Sequence, residues 1–363
     1  MKLEPYGWTA SLEEAFAPYG AEGYLPGRVV VQRGDYEVVS PEGFLRCHLA
    51  GRMKFHAGGA ADLPVVGDWV TVKARQAERT GRIEGILPRK SRFIRKVPGS
   101  RTVAQVIAAN IDTVFLVSGL DDEFNPARME RYLVLARESG AQPVIVLNKA
   151  DLCPDLEAVL TVTAEIAPAV PLVVTSVPRR EGIEELRAFF HGNTTGALLG
   201  SSGVGKSSLI NQLLGEERFK IRDVRETDSH GRHTTTHREL VLLPSGGMVI
   251  DTPGLRELQL WGDGAGLQDT FEDVEELALQ CKFTNCLHET EPGCAVRQAL
   301  DEGRLEPERL ESYRKLQREF SHLQSKYDVR EKIVSKQRAK RLSSEIKRYN
   351  KHRDDLGKGP KGS

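Results

Sequence analysis

Residues Gly200-Ser201-Ser202-Gly203-Val204-Gly205-Lys206-Ser207 fit the pattern G-x-x-x-x-G-K-S in full, a combination suited to holding phosphate groups. Its glycines let the backbone curl so that successive N–H groups and the start of a helix face an anion. Lys206 can then reach β- and γ-phosphate oxygens, Ser207 can hold Mg²⁺, and Ser208 opens the helix beside them. A second group, Cys281-x4-Cys286-x-His288-x5-Cys294, supplies three thiols and one imidazole within a short stretch. That set makes a closed tetrahedral site for which Zn²⁺ is the natural occupant, and with four protein ligands the site is structural. The other two cysteines, Cys47 and Cys153, are isolated.

Asn148-Lys149-Ala150-Asp151 follows an apolar run ending at Leu147, and N-K-x-D at a strand end is similar to the guanine-reading motif of GTPases. A carboxylate at Asp151 accepts from the ring N–H and exocyclic amine of guanine and meets the wrong pattern in adenine. Asn148 and the Lys149 stem hold the base and the loop. Ser176, after the next apolar run, resembles the accessory guanine loop. Asp251-Thr252-Pro253-Gly254 has the form D-x-x-G, in which Asp251 acts on Mg²⁺ through water and the Gly254 N–H senses the γ-phosphate. Gly231-Arg232-His233-Thr234-Thr235-Thr236 resembles a first switch. By analogy with related switches Thr235 completes the Mg²⁺ shell, with Thr234 as its rival.

These groups need a scaffold that brings them together. The chain has 363 residues, enough for two or three domains, with 51 Lys/Arg and 51 Asp/Glu. The composition is globular, with no transmembrane run and no basic-then-apolar leader. Too few cysteines for a disulfide framework suggest a reducing cytosol. The neutral total hides +5 over residues 1–106, −13 over 107–325 and +8 over 326–363, so two basic ends can grip a polyanion.

β-rich runs at Arg28–Val31, Tyr36–Ser40, Phe44–Leu49, Trp69–Val72 and Arg82–Leu87 predict a small barrel of the OB type. The six cations from Arg89 to Arg101 that follow are either a nucleic-acid surface or a solvated linker. From Ile111 the rhythm becomes that of a parallel α/β sheet. Strands are expected at Ile111–Val117, Pro143–Leu147, Pro171–Thr175 and Thr195–Leu199, with helices at Arg128–Glu138, Leu156–Ile166 and Ile183–Phe190. Glu239–Leu243 and Met248–Ile250 are further strands about a Pro244-Ser245-Gly246-Gly247 turn. A charged helical pattern starts near Glu306, and the chain ends in a Lys/Gly-rich tail.

The motif order is unusual: Asn148 stands 52 residues before Gly200, whereas ordinary GTPases place the guanine motif last. This resembles a circularly permuted GTPase, with strands paired in space as before and termini relocated. Together with the preceding barrel and the Cys/His group, the chain resembles the ribosome small subunit-dependent GTPase A family (RsgA/YjeQ) over about residues 25–325. The resemblance implies a multidomain α/β protein divided into an N-terminal extension (1–24), an OB-fold RNA-binding domain (25–105), a circularly permuted P-loop GTPase domain (106–270), a zinc-binding helical domain (271–325) and a basic helix and tail (326–363). It implies GTP hydrolysis stimulated by the small ribosomal subunit, contact with its rRNA, a role in late subunit maturation, and GTP and GDP as ligands. A cytoplasmic monomer without membrane contact is expected. Leu255 stands where Ras-type enzymes place the water-orienting glutamine. The resemblance points instead to His233 as the catalytic group, with His230 competing.

Overall fold

The computed structural model describes residues 1–57, 59–96, 104–121, 124–219, 238–251, 260 and 264–323. The β-rich runs form β1 (Leu25–Arg33), β2 (Asp35–Ser40), β3 (Gly43–Leu49), β4 (Trp69–Arg75) and β5 (Thr80–Ile86). They are ordered β1-β2-β3-β5-β4, and β4 pairs back onto β1 to close a five-stranded barrel. Alternation along the strands turns Val29, Val38, Leu45, Cys47, Val70, Val72 and Ile83 inward. Burial pushes the Cys47 thiol up to about 12, so this cysteine is an apolar core residue and not a nucleophile.

Two helices and a hairpin of this half escape the sequence pattern. Helix α1 (Ala10–Ala21) has Thr9 as its N-cap, the hydroxyl accepting from Leu12 N. Pro18 and Gly20 in its last turns weaken the helical signal. It packs on the barrel: Leu3, Tyr6 and Phe16 are buried, and Trp8 meets Trp69 edge-on at 4.8 Å. A short helix, α2 (Gly51–His56), follows β3. The hairpin joins β6 (Arg92–Lys96) and β7 (Ala104–Ala109), and its register runs from Arg92↔Ala109 to Lys96↔Ala104. Its charges masked the alternation, yet Phe93 is fully buried.

The expected cationic surface is partly internal. Arg89 makes paired bonds of 2.7 Å to both oxygens of the fully buried Asp68 carboxylate, and it also donates to the carbonyls of Leu63 and Ala61. Lys90 pairs with Asp112. These two cations brace the loop leaving the barrel, and Arg92 is exposed.

The second half is a sheet of β8 (Thr113–Gly119), β9 (Gln142–Asn148), β10 (Leu172–Thr175), β11 (Thr195–Leu199), β12 (Arg238–Leu242) and β13 (Met248–Asp251). The order is β10-β9-β8-β11-β13-β12, parallel except for β12 against β13. Residues of opposite parity build two cores. Val114, Leu116, Ile145, Leu147, Ala197 and Leu199 face helix α3 (Pro126–Ser139) and α4 (Leu156–Ile166). Phe115, Val117, Val144, Val146 and Leu198 face α5 (Ile183–Ala188) and α6 (Lys206–Leu214).

Barrel and sheet are continuous, because β1 also pairs with β12 through Val31↔Glu239 and Gln32↔Arg238. Arg28 stitches the junction. It is buried and donates to the carbonyls of Tyr6, Gly67 and Asn110 and to the Thr195 hydroxyl at the start of β11, and it lies over the Trp69 ring. Burial lowers its pKa to about 10, which leaves it cationic at neutral pH.

Beyond the sheet come α7 (Ala265–Thr270), α8 (Glu272–Ala278), α9 (Ala295–Asp301) and the helical residues 307–323, α10. Among the described residues no helix is long and apolar enough to cross a membrane.

Candidate functional site

Because β8, β9, β10, β11 and β13 are parallel, their C-terminal ends share one edge. That edge is where open α/β sheets bind ligands. Gly200 to Ser207 leave β11 at its centre and run into α6. A Cβ on Gly200 would lie 2.3 Å from the Val117 carbonyl oxygen. Gly205, at φ +96°, would place one 2.2 Å from Asn148 Nδ2. Both positions therefore require glycine. Val204 is buried, Ser202 exposed, and Gly203 adopts φ +85°. Lys206 Nζ donates to the carbonyls of Gly200 (2.8 Å) and Ser201, so its ammonium lies against the loop. Ser207 and Ser208 occupy the first turn of α6.

The guanine motif lies against this loop. Asn148 ends β9 and is buried; its Nδ2 donates to the Val204 carbonyl at 2.8 Å, and its Oδ1 accepts from the Thr175 hydroxyl at 2.9 Å. Lys149 turns into the left-handed region (φ 64°), and its ammonium pairs with Asp121 beyond β8. Ala150 and Asp151 enter a 3-10 turn, where Asp151 Oδ1 accepts from Ser176 Oγ at 2.6 Å. The two segments read from sequence as base-facing are thus in contact, with one Asp151 carboxylate oxygen already oriented by a hydroxyl. Asp251 ends β13 at the same edge.

Sequence reasoning missed Asp121 and two α3 side chains. Arg128 Nη1 donates to Ser201 Oγ at 2.9 Å, and Tyr132 Oη lies 3.5 Å from the same atom. The available signal was a cation one turn into the helix that leaves β8's carboxyl edge. Gly254, Leu255, His230, His233, Thr234 and Thr235 lie outside the described residues, as does the basic stretch 326–363.

The Cys/His group assembles apart from this edge. Cys281 follows α8, Cys294 caps α9 by accepting from Arg297 N, and a loop between them carries Cys286 and His288. The four ligand atoms lie within 4.8 Å of one another. Two thiolates about 2.3 Å from one tetrahedral ion would stand about 3.8 Å apart, and a thiolate and an imidazole nitrogen about 3.5 Å apart. The separations are 3.8 Å for Cys281–Cys294, and 3.6 and 3.4 Å from these sulfurs to His288 Nδ1. The donor set fits a metal ion. Burial lowers the pKa of His288, with Arg314 adding to the effect, which favours the neutral ring that a metal ligand must offer. Glu291 accepts from the backbone N–H groups of Leu287 (2.9 Å), Glu289 (2.8 Å) and Thr290 (3.0 Å), fixing the loop around His288.

The family described as RsgA GTPase matches residues 86–261, and one described as 50S ribosome-binding GTPase matches residues 195–355. The chain is 46% identical to a small ribosomal subunit biogenesis GTPase RsgA of Opitutus terrae, over 90% of this chain and 92% of that one. It is 44% identical to a protein of the same description from Streptomyces coelicolor, over 98% and 94% of the two chains. Among solved structures it is similar to YjeQ from Thermotoga maritima, with a TM-score of 0.61 and 30% identity over 81% of this chain and 97% of that one. It is also similar to YloQ, described as a circularly permuted GTPase, with a TM-score of 0.59 and 27% identity over 82% and 96%.

Proposed function

The chain belongs to the RsgA GTPase family, and we propose that it hydrolyses GTP on the small ribosomal subunit to assist that subunit's late maturation. The observation that carries this reading is the joining of base-side and phosphate-side motifs at one sheet edge, through the bond from Asn148 to Val204 and the contact of Asp151 with Ser176.

In this reading Asn148, Lys149, Ala150, Asp151 and Ser176 hold guanine. The loop Gly200 to Ser207, with Ser208, Asp251 and Gly254, holds the phosphates. Ser207 and Thr235 would hold the Mg²⁺ that accompanies GTP, which would supply positive charge beside the phosphates. His233 positions or activates the attacking water. Zn²⁺ at Cys281, Cys286, His288 and Cys294 is a fold element, and metal analysis should find one ion per chain. The five-part division of the chain and action as a cytoplasmic monomer belong to the same proposal. With Arg89 and Lys90 held by Asp68 and Asp112, RNA contact falls to the rest of that run, Arg92 and Arg95 among it, and to cations outside the described residues. Salt should weaken that contact steeply.

The description of the second matching family names the large subunit, so the test must separate the two. Purified small and large subunits are each sedimented with the protein and a non-hydrolysable analogue of GTP or of ATP. Co-sedimentation with small subunits and the GTP analogue alone is expected. Equal recovery with large subunits, or with the ATP analogue, contradicts the reading.

A further inference from the structure

Two cations converge on one residue of the phosphate loop. Lys206 donates to the Ser201 carbonyl, and Arg128 donates to the Ser201 hydroxyl from the opposite element. The Arg128 backbone is fixed: its N–H caps onto Asn125 Oδ1 at 2.9 Å in the first turn of α3. Tyr132, one helical turn on and so on the same face, reaches the same hydroxyl.

The rest of α3 is clamped from the C-terminal side. Glu130 accepts from Arg309 at 2.7 Å, and Arg131 makes two bonds of 2.6 and 2.9 Å to Glu319. Glu138 accepts from Gly266 N at 2.9 Å, and Arg137 donates to the Thr270 hydroxyl at 3.1 Å. α3 is therefore a strut with the Cys/His module on one side and the first residues of the phosphate loop on the other.

We propose that Arg128 is a positioning residue for hydrolysis, acting through Ser201 to set the loop carbonyls against which Lys206 lies. Phosphoryl transfer depends on such preorganised positive charge more than on covalent chemistry. Loop geometry should therefore register in turnover, while guanine, held at Asp151 and Ser176, should still bind. The proposal rests on the reading of this edge as a GTP-hydrolysing site.

The test is a double-mutant cycle on Arg128→Ala and Ser201→Ala, with Arg128→Lys as the conservative variant. Single-turnover GTP hydrolysis, GDP affinity and thermal midpoint are measured on each full-length protein. Each alanine variant should lose about 10–100-fold in rate, the range of one charge-assisted hydrogen bond. The double variant should lose no more than the worse single one, Arg128→Lys should recover part of the rate, and the GDP affinity of Arg128→Ala should stay within about threefold. Hydrolysis at the parental rate in Arg128→Ala, or losses that add in the double variant, overturns the proposal while leaving the GTPase reading intact. A loss of rate matched by an equal loss of GDP affinity makes Arg128 merely structural and also overturns it. A parent that does not hydrolyse GTP overturns both.

Discussion

Asn148 Nδ2 lies 2.8 Å from the carbonyl oxygen of Val204, 56 residues further along the chain. The guanine motif and the phosphate loop are thereby one hydrogen-bonded unit, even though permutation has reversed their order. The same amide holds Thr175 through its oxygen, so a single buried side chain aligns the ends of β9, β10 and β11.

Asn148→Ala should therefore act on both halves of the nucleotide. It strands a buried carbonyl and a buried hydroxyl, at a cost of about 1–3 kcal/mol each. Affinity for GTP and for GDP should fall together, and the thermal midpoint should drop, measured by fluorescent-nucleotide titration and melting.

Asp151→Asn should change which base is read. In the proposed reading the carboxylate accepts from the N–H groups of guanine, whereas an amide keeps one acceptor oxygen and turns an NH2 donor toward the position where xanthine has its two-position carbonyl. GTP affinity should fall and the preference should move toward xanthosine triphosphate. Competition binding with the two nucleotides checks this, and an unchanged GTP affinity contradicts it.

Most of the scaffold was legible because its signals are local. Helix α4 (Leu156–Ile166) and strand β11 (Thr195–Leu199) occupy the residues that apolar periodicity and run length marked. The site motifs were legible for the same reason, since each is a contiguous string. Contacts set by tertiary structure were hidden. Arg89 reads as a surface cation until Asp68, 21 residues upstream, is seen to enclose it. Arg128 reads as a solvent-facing helix residue until β11 is placed beside β8. Helix α1 was missed because its anchor, Trp8 on Trp69, is a long-range pair flanked by weak helix formers.

The clamp on α3 should be a large contributor to stability. Arg309 donates to Glu130, Asp273 and the Thr270 carbonyl and lies over the Phe271 ring; Glu130 is only 4% exposed. Arg309→Met leaves that carboxylate buried without its cation, at a cost of about 3–5 kcal/mol. Adding Glu130→Leu should recover most of the loss, as measured by denaturant unfolding.

Acid should loosen the Cys/His module through Glu291. Four backbone N–H groups, those of Leu287, Glu291 itself, Glu289 and Thr290, lower its carboxyl pKa from 4.5 to about 2. A depressed carboxylate contributes stability that is complete above the unfolded value and is lost as pH falls through the folded one. The stability difference between the parent and Glu291→Gln should thus be constant from pH 7 to 4.5 and shrink toward pH 2. Melting the two proteins in parallel checks the sign, and a difference that grows on acidification contradicts it.

The proposed function makes this edge a GTPase site answering to the small ribosomal subunit. The most direct measurement is steady-state GTP turnover by the purified protein alone, with small subunits and with large subunits, ATP serving as the control nucleotide. The expected result is slow intrinsic GTP hydrolysis that rises on the order of 10²-fold or more with small subunits only, and no comparable ATP turnover. Equal GTP turnover with and without small subunits would contradict the account.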